Sequence, residues 1–184
     1  MGQRALLAVE RATDRYDLHY AHWGAHDWQL ASILADRPPS DRLDVAALAR
    51  RAGIDPTPVA TGSSFAAVVT DHLDYQTYDA CYVVDADGAL STYLVAWFGL
   101  PGHDAVRPRD GALVGVDPGR VEPDGEFLRG RVAGLKAAVL ALVRADRLVV
   151  PAGRSLLASE VRAWRAEDRT VHLGPDADPE GWAP

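Results

Sequence analysis

The sequence predicts a single α+β domain, an antiparallel sheet built from two hairpins plus one or two extra strands, with helices packed mainly on one face. Two stretches of strand-forming residues, each folded about a turn signal, predict the hairpins. One long segment with apolar residues at helical spacing predicts the main helix. Because 48% of the 184 residues are hydrophobic, the chain can build one core. We expect the domain to span residues 1–174 and residues 175–184 to form a flexible acidic tail.

The first hairpin is predicted close to the start of the chain. Residues 4–11 are rich in apolar strand formers, and residues 13–15, Thr-Asp-Arg, form the turn. Residues 16–20 then alternate between apolar and polar side chains, which is typical of a half-buried strand. Asp27 is predicted to cap a short helix that runs to about Ala35.

The middle of the chain predicts two helices and a second hairpin. The stretch LDVAALARRAG reads as a helix with Asp41 near its start and Gly53 past its end, IDPTPVATG as a loop, and residues 63–73 as a second helix. Residues 78–84 and 90–98 flank the turn DADG and predict the centre of the sheet. A further strand is expected near residues 112–116.

The last third predicts the longest helix, over residues 125–147 with Asp124 as its cap. Its apolar residues follow a 4-3-4-3 spacing: Leu128, Val132, Leu135, Val139 and Leu142. This stripe fits packing on the sheet, with a coiled-coil seam as the alternative. VVPAGRS is expected to break the chain before a last helix over residues 156–166, and RTVHL to form a final short strand.

The amino-acid composition limits the functions that are compatible with the sequence. The formal net charge is -7, and Lys136 is the only lysine among 19 basic residues. This balance fits a salt-adapted surface, or alternatively a GC-rich genome, and it disfavours nonspecific binding to nucleic acid. The N-terminus lacks a signal-peptide pattern and no apolar run suggests a membrane span, so the expected location is the cytoplasm.

The candidate binding surface lies in the stretch YDLHYAHWGAHDW and consists of Tyr20, His22, Trp23, His26, Asp27 and Trp28. Its histidines suggest a metal or catalytic site. Residues three apart on a strand point to opposite faces, so His19 and His22 cannot hold one ion while the strand stays regular. We therefore interpret the stretch as an aromatic sheet edge or contact surface, and we predict no metal and no cofactor.

The sequence contains few other residues or motifs that could support catalysis or the binding of a ligand or nucleic acid. Cys81 lies within a predicted central strand, where a buried thiol is inert. No nucleophile elbow, Walker loop or complete calcium loop is present in the sequence. VAALARRAGI resembles the first helix and turn of a helix-turn-helix, but the next predicted helix carries Asp71 and Asp74 and no basic residue. No catalytic residue is identified.

The opening RALLAVERATDRYDLHYAHWGAHDWQL resembles a family of small haloarchaeal proteins that begin with this hairpin and its Y-x-L-H-Y-x-H-W-G run. The segment Tyr20 to Gly24 is also similar to the Y-x-H-W-D-G segment of short phage and bacterial proteins, although here no Asp follows Trp23. The resemblance implies a salt-loving archaeal source and an uncharacterised family, and it transfers no catalytic role.

The sequence therefore favours a non-enzymatic domain that acts through contacts with a protein partner or as a homo-oligomer, with no membrane association. The first alternative is a small-ligand or metal-dependent hydrolase-type site around His22, His26 and Asp27. The second is a helix-turn-helix-like nucleic-acid binder over residues 43–73, which the acidic composition disfavours.

Overall fold

The computed structural model describes residues 3–36, 43–102 and 108–177. Within these ranges one sheet is built from seven strands: β1 Ala5–Ala12, β2 Arg15–Ala21, β3 Ala60–Ser63, β4 Ala80–Val84, β5 Leu90–Trp97, β6 Gly111–Gly115 and β7 Val171–Leu173. The α-helices of the same ranges are α1 Gln29–Ala35, α2 Val45–Ala52, α3 Phe65–Ala67, α4 Val121–Arg144 and α5 Val150–Ala163. A π-helical segment, Val68–His72, continues α3, and 3-10 turns precede α1 and follow α5. Among these helices, none is both long enough and apolar enough to cross a bilayer.

The strand order is β3-β2-β1-β4-β5-β6-β7. Every neighbouring pair is antiparallel except β1 and β4, which run parallel. The α+β prediction and both predicted hairpins are confirmed. The parallel pair joins the two hairpins at the centre of the sheet.

The two faces of the sheet are covered unequally. The larger core lies on one face and receives buried side chains from α1, α2, α4 and α5. The smaller core lies on the other face, where Val68 and Val69 of the short helical segment, with Leu73 and Tyr75 just after it, cover strand residues. Helices therefore pack mainly on one face, as predicted.

The predicted loop IDPTPVATG contains a strand that the sequence did not reveal. β3 pairs antiparallel with β2, with Tyr16 opposite Ser63 and Leu18 opposite Ala60. The following helix starts later than predicted, because the Ser64 hydroxyl caps it by accepting a hydrogen bond of 3.2 Å from the Ala67 amide.

This strand also overturns the helix-turn-helix interpretation. Val45 and Leu48 of α2 belong to the larger core, whereas Val68 and Val69 after β3 belong to the smaller core on the opposite face. Two helices on opposite sides of a sheet cannot form the bihelical unit that enters a groove.

Two predicted helix caps differ from the structure. Asp27 does not cap α1: it has a φ of 47°, Trp28 is the residue before the helix, and no side chain caps that end. The cap residue of α4 is Arg120, and Asp124 lies inside the first turn. The predicted cap Asp41 of α2 lies outside the described residues, and Asp44 is the observed cap.

The start of α5 also differs from the prediction. The helix begins at Val150, within the stretch VVPAGRS that was expected to break the chain. Pro151 occupies its first turn, where a missing amide hydrogen costs nothing. Of the predicted tail, residues 175–177 are described and residues 178–184 lie outside the described part of the chain.

The stripe of α4 packs on the sheet side, as predicted, but it does not stay straight. Leu128 and Val139 are fully buried, whereas Leu142 is 43% exposed and Val143 takes the buried place. A 4-3-4-3 spacing repeats every 3.5 residues on average, while a straight helix has about 3.6 residues per turn. The stripe therefore drifts around the helix, and its last member emerges on the surface.

An ion pair fixes the start of α4 to the end of the sheet. Arg169, just before β7, donates hydrogen bonds of 2.6 and 2.8 Å to the two oxygens of Asp124, which also accepts one from the Asp117 amide. The hydrogen bonds from Arg169 lower the pKa of the Asp124 carboxyl below its ordinary value. This contribution to stability is present above the unfolded pKa and is lost as the pH falls through the lowered folded pKa.

We therefore predict that Asp124→Asn lowers the free energy of unfolding at pH 7 by about 1–3 kcal/mol, because Arg169 loses its charged partner. The variant should also lose less stability than the wild type between about pH 4 and pH 2. Urea unfolding across pH measures both effects. Asp87→Asn, in the exposed hairpin turn, is the control and should leave stability nearly unchanged. An Asp124→Asn variant as stable as the wild type at pH 7 would contradict this account.

Candidate functional site

The chain after β2 is held against the end of the sheet by a glycine. A Cβ atom on Gly24 would lie 2.7 Å from Ala21 Cβ and 2.8 Å from Ala5 Cβ, so a larger residue cannot pack there. The Gly24 carbonyl accepts a hydrogen bond of 2.8 Å from the buried hydroxyl of Tyr82. The W-G step of the sequence motif is therefore required by close packing.

The next residue is fixed on two sides. The Ala25 amide donates to the Gln3 carbonyl at 3.2 Å, and its own carbonyl accepts from Arg129 of α4 at 2.9 Å. With Gly24 and Ala25 buried, the side chains on either side of them project outward. We call the outward group of Tyr20, His22, Trp23, His26 and Asp27 the aromatic turn.

Side chains of the aromatic turn contact one another in sequence. The Tyr20 hydroxyl lies 2.8 Å from His22 Nδ1, and the His22 and Trp23 rings meet edge to face at 5.0 Å. Trp23 contacts His26 at 6.3 Å, and His26 Nδ1 lies 3.2 Å from the Asp27 carboxylate. Trp23 is 53% exposed. The two imidazoles thus contact the same indole ring.

The third histidine of the motif has a separate environment. His19 is 2% exposed, and its Nδ1 lies 3.1 Å from the Asp55 carbonyl oxygen. His22 lies beyond the end of β2 and is exposed. The predicted dispersal of these two imidazoles is confirmed. In the part of the chain that the structure describes, no group of three or more His, Cys, Asp or Glu side chains could hold a metal ion.

Trp28, predicted to share the candidate surface, is a core residue. It is 1% exposed, and its ring lies under α4, where a Cβ on Gly125 would come within 2.3 Å of it. Its indole NH donates to Glu126 at 3.2 Å, and the Arg129 guanidinium lies 4.6 Å above the ring. Gly125, whose missing side chain makes room for the indole, is far from Trp28 in the sequence, so no local pattern indicated this burial.

A second candidate surface is the outer face of α4. It consists of eight exposed residues: Pro123, Phe127, Gly130, Gly134, Ala137, Ala138, Ala141 and Leu142. At about 100° per residue they cover about 140° of the helix circumference. Phe127 is 59% exposed and Leu142 43%. Contiguous exposed apolar surface of this kind marks sites of protein contact.

One charged side chain of α4, Arg131, falls within this arc, between Ala138 and Leu142. It is turned toward the end of α5, where it donates to the two Glu167 oxygens at 2.6 and 2.7 Å and lies 4.2 Å above the Trp164 ring. Glu126 and Arg144 lie on the opposite border. The outer face therefore carries no exposed acidic side chain, and its one arginine is paired within the chain, although the formal net charge of the chain is -7.

Groups capable of nucleophilic chemistry are poorly placed. Burial raises the pKa of the Cys81 thiol to about 12, which keeps it protonated and inert. The Ser63 hydroxyl lies 3.0 Å from His72 Nε2, but both residues are on the surface. Among the described residues, no carboxylate hydrogen-bonds the other nitrogen of that imidazole, so the orienting third member of a triad is missing.

Comparison with known proteins identifies the family. The profile of DUF6735, described as a family of unknown function, matches residues 1–46 and 40–173. The chain belongs to this family. No curated protein and no solved structure matches it significantly.

Substitution of the two tryptophans of the motif should lower stability by very different amounts. Trp28→Ala should lower the free energy of unfolding by about 3–5 kcal/mol, because it empties a buried site under α4. Trp23→Ala should lower it by less than about 1 kcal/mol, because half of that ring is already exposed. Urea unfolding followed by far-UV circular dichroism measures both. Equal losses in the two variants would mean that the aromatic turn is part of the core.

Proposed function

We propose that this member of DUF6735 is an interaction module without catalytic activity, which binds another protein chain through the outer face of α4. The observation that carries the proposal is the exposed strip on that helix, which is apolar apart from Arg131, a residue paired with Glu167. Of the six large hydrophobic residues exposed among the described residues, four lie on or next to α4 and α5: Phe127, Leu142, Val149 and Leu156.

The charge distribution supports the same conclusion. Two chains with a net charge of -7 can form a contact only where the surface is locally free of acidic side chains, because carboxylates brought together at short range repel one another. The outer face meets that condition along the helix from Phe127 to Leu142. Leaving this strip exposed to water contributes nothing to the stability of the chain. Covering it with another chain is favourable, because apolar surface is then removed from water.

The aromatic turn is the second contact surface in this proposal. Tyr20, His22, Trp23, His26 and Asp27 offer one large half-exposed ring with hydrogen-bonding groups on both sides. Indole and phenol rings of this kind are enriched at protein contacts, because they combine apolar area with a polar tip. Trp28 is not included, since it is buried.

The proposal also includes a cytoplasmic location in a salt-adapted archaeal cell. The composition supports it, because the chain has 26 acidic and 19 basic residues and all of the basic residues except Lys136 are arginine. In molar salt the Debye length falls to about 3 Å, so an acidic surface no longer repels itself.

A photo-crosslinking experiment tests the contact surface. We expect benzoylphenylalanine at position 138 of the full chain to form adducts with a protein on irradiation in the native host, since Ala138 lies at the middle of the outer face. Mass spectrometry identifies the adduct.

The matched control is position 46, another exposed alanine on a helix, in α2. It should give no adduct above background. Equal labelling at positions 46 and 138, or no adduct at 138, would contradict the proposal.

The salt-adapted source has its own test. We expect the midpoint of thermal unfolding to rise when KCl is increased from 0.1 M to about 3 M, because screening removes repulsion among surface carboxylates. Sodium chloride at the same ionic strength should act similarly. A midpoint that falls or stays constant would contradict salt adaptation.

A further inference from the structure

We infer that the chain that covers the outer face of α4 is a second copy of this protein, with the two α4 helices antiparallel across a two-fold axis beside Gly134. The inference rests on the proposed function, because it names the partner for the same surface. Three properties of the face lead to it: its apolar ends, its small central residues and the charges on its border.

The apolar ends are spaced symmetrically. Phe127 and Leu142 are both exposed, and their midpoint along the chain falls between Gly134 and Leu135. At about 1.5 Å per residue they are about 22 Å apart. In an antiparallel pair centred there, each Phe127 lies against the partner's Leu142, so both large side chains leave water. Such a surface is complementary to itself, as a two-fold contact requires.

The centre of the face allows two helices to approach closely. A Cβ atom added to Gly130 or Gly134 would meet no heavy atom within 4 Å, so the space above both glycines is open. Ala138 and Ala141 continue the row of small residues. The distance between packed helix axes is about 8–10 Å and depends on the side chains between them, so this row favours the short end of that range.

The border charges decide the orientation. Glu126 and Arg144 are eighteen residues apart, which is about five helical turns, so they lie on the same side of α4. Their midpoint is residue 135, next to the midpoint of the apolar pair. In the antiparallel arrangement each Glu126 lies beside the partner's Arg144. In a parallel arrangement the two copies of Glu126 would lie on opposite sides of the contact, as would the two copies of Arg144, so neither end would gain an ion pair.

The oligomeric state is the first test. We expect light scattering of the full chain to give twice the mass of the 19.8 kDa chain. Ala138→Glu should weaken dimerisation about a hundredfold, because each chain would place a carboxylate without a partner in the apolar contact. Ala46→Glu places the same charge on exposed α2 and should leave the dimer intact. Thermal unfolding of both variants at a concentration where the chain is monomeric should match the wild type.

Charge reversal tests the orientation. Arg144→Glu should weaken the dimer about tenfold at low salt, since it would face the partner's Glu126. Adding Glu126→Gln should restore part of the affinity, because a neutral amide removes the repulsion and can still accept the hydrogen bond from Trp28. In a parallel dimer, where Arg144 does not face Glu126, Arg144→Glu would leave association nearly unchanged.

Introduced cysteines give a test independent of affinity. Under mild oxidation Gly134→Cys should link to the same residue of its partner, because the two positions meet at the axis. Gly130→Cys should not link to itself, since the two copies would be about 13 Å apart along the axis. A mixture of Gly130→Cys and Ala141→Cys chains should give a linked heterodimer. Cys81 does not interfere, because it is buried.

The outcomes separate the two proposals. A monomer at every concentration overturns the self-association, while a photo-adduct to a different protein at position 138 would leave the proposed function standing. A dimer unaffected by Ala138→Glu uses another surface and also overturns the inference. A dimer in which Gly130→Cys links to itself as readily as Gly134→Cys is parallel and overturns the arrangement.

Discussion

The parallel pairing of β1 with β4 is the contact on which the rest of the fold depends. It sets Leu6 opposite Cys81 and Ala8 opposite Val83, with all four side chains buried. The pairing joins two hairpins that are far apart in sequence into one sheet. Glu10 reinforces it, because its two carboxylate oxygens accept hydrogen bonds from the Asp14 and Ala86 amides in the two hairpin turns. The sheet against which α4 and the aromatic turn lie is complete only when β1 pairs with β4.

Local patterns in the sequence were sufficient for both hairpins and for α4, because side-chain alternation, an Asp-Gly turn and helical spacing are each read over a few residues. The β1–β4 junction has no such signature, since it depends on two segments meeting across the fold. The strand β3 was missed for a related reason. The sequence ATGS has weak strand propensity, and its conformation comes from pairing with the free edge of β2.

The candidate surfaces were predictable to different degrees. Strand parity correctly separated His19 from His22, because it needs only the direction of successive side chains. The burial of Trp28 was not predictable in this way, since it depends on Gly125 coming close through tertiary packing. For α4 the sequence predicted the buried stripe. The stripe also drifts around the helix, which exposes Leu142, and this drift could have been calculated from the helical repeat.

The edges of the sheet have a consequence for behaviour at high concentration. The outermost strands, β3 and β7, contain four and three residues. Strands this short offer few open backbone hydrogen-bonding groups to an incoming chain, and natural proteins use short edge strands to prevent the growth of fibrils. Most of the strongly β-forming sequence is enclosed in the middle of the sheet, so the native protein should resist amyloid-like polymerisation as long as the short outer strands remain in place.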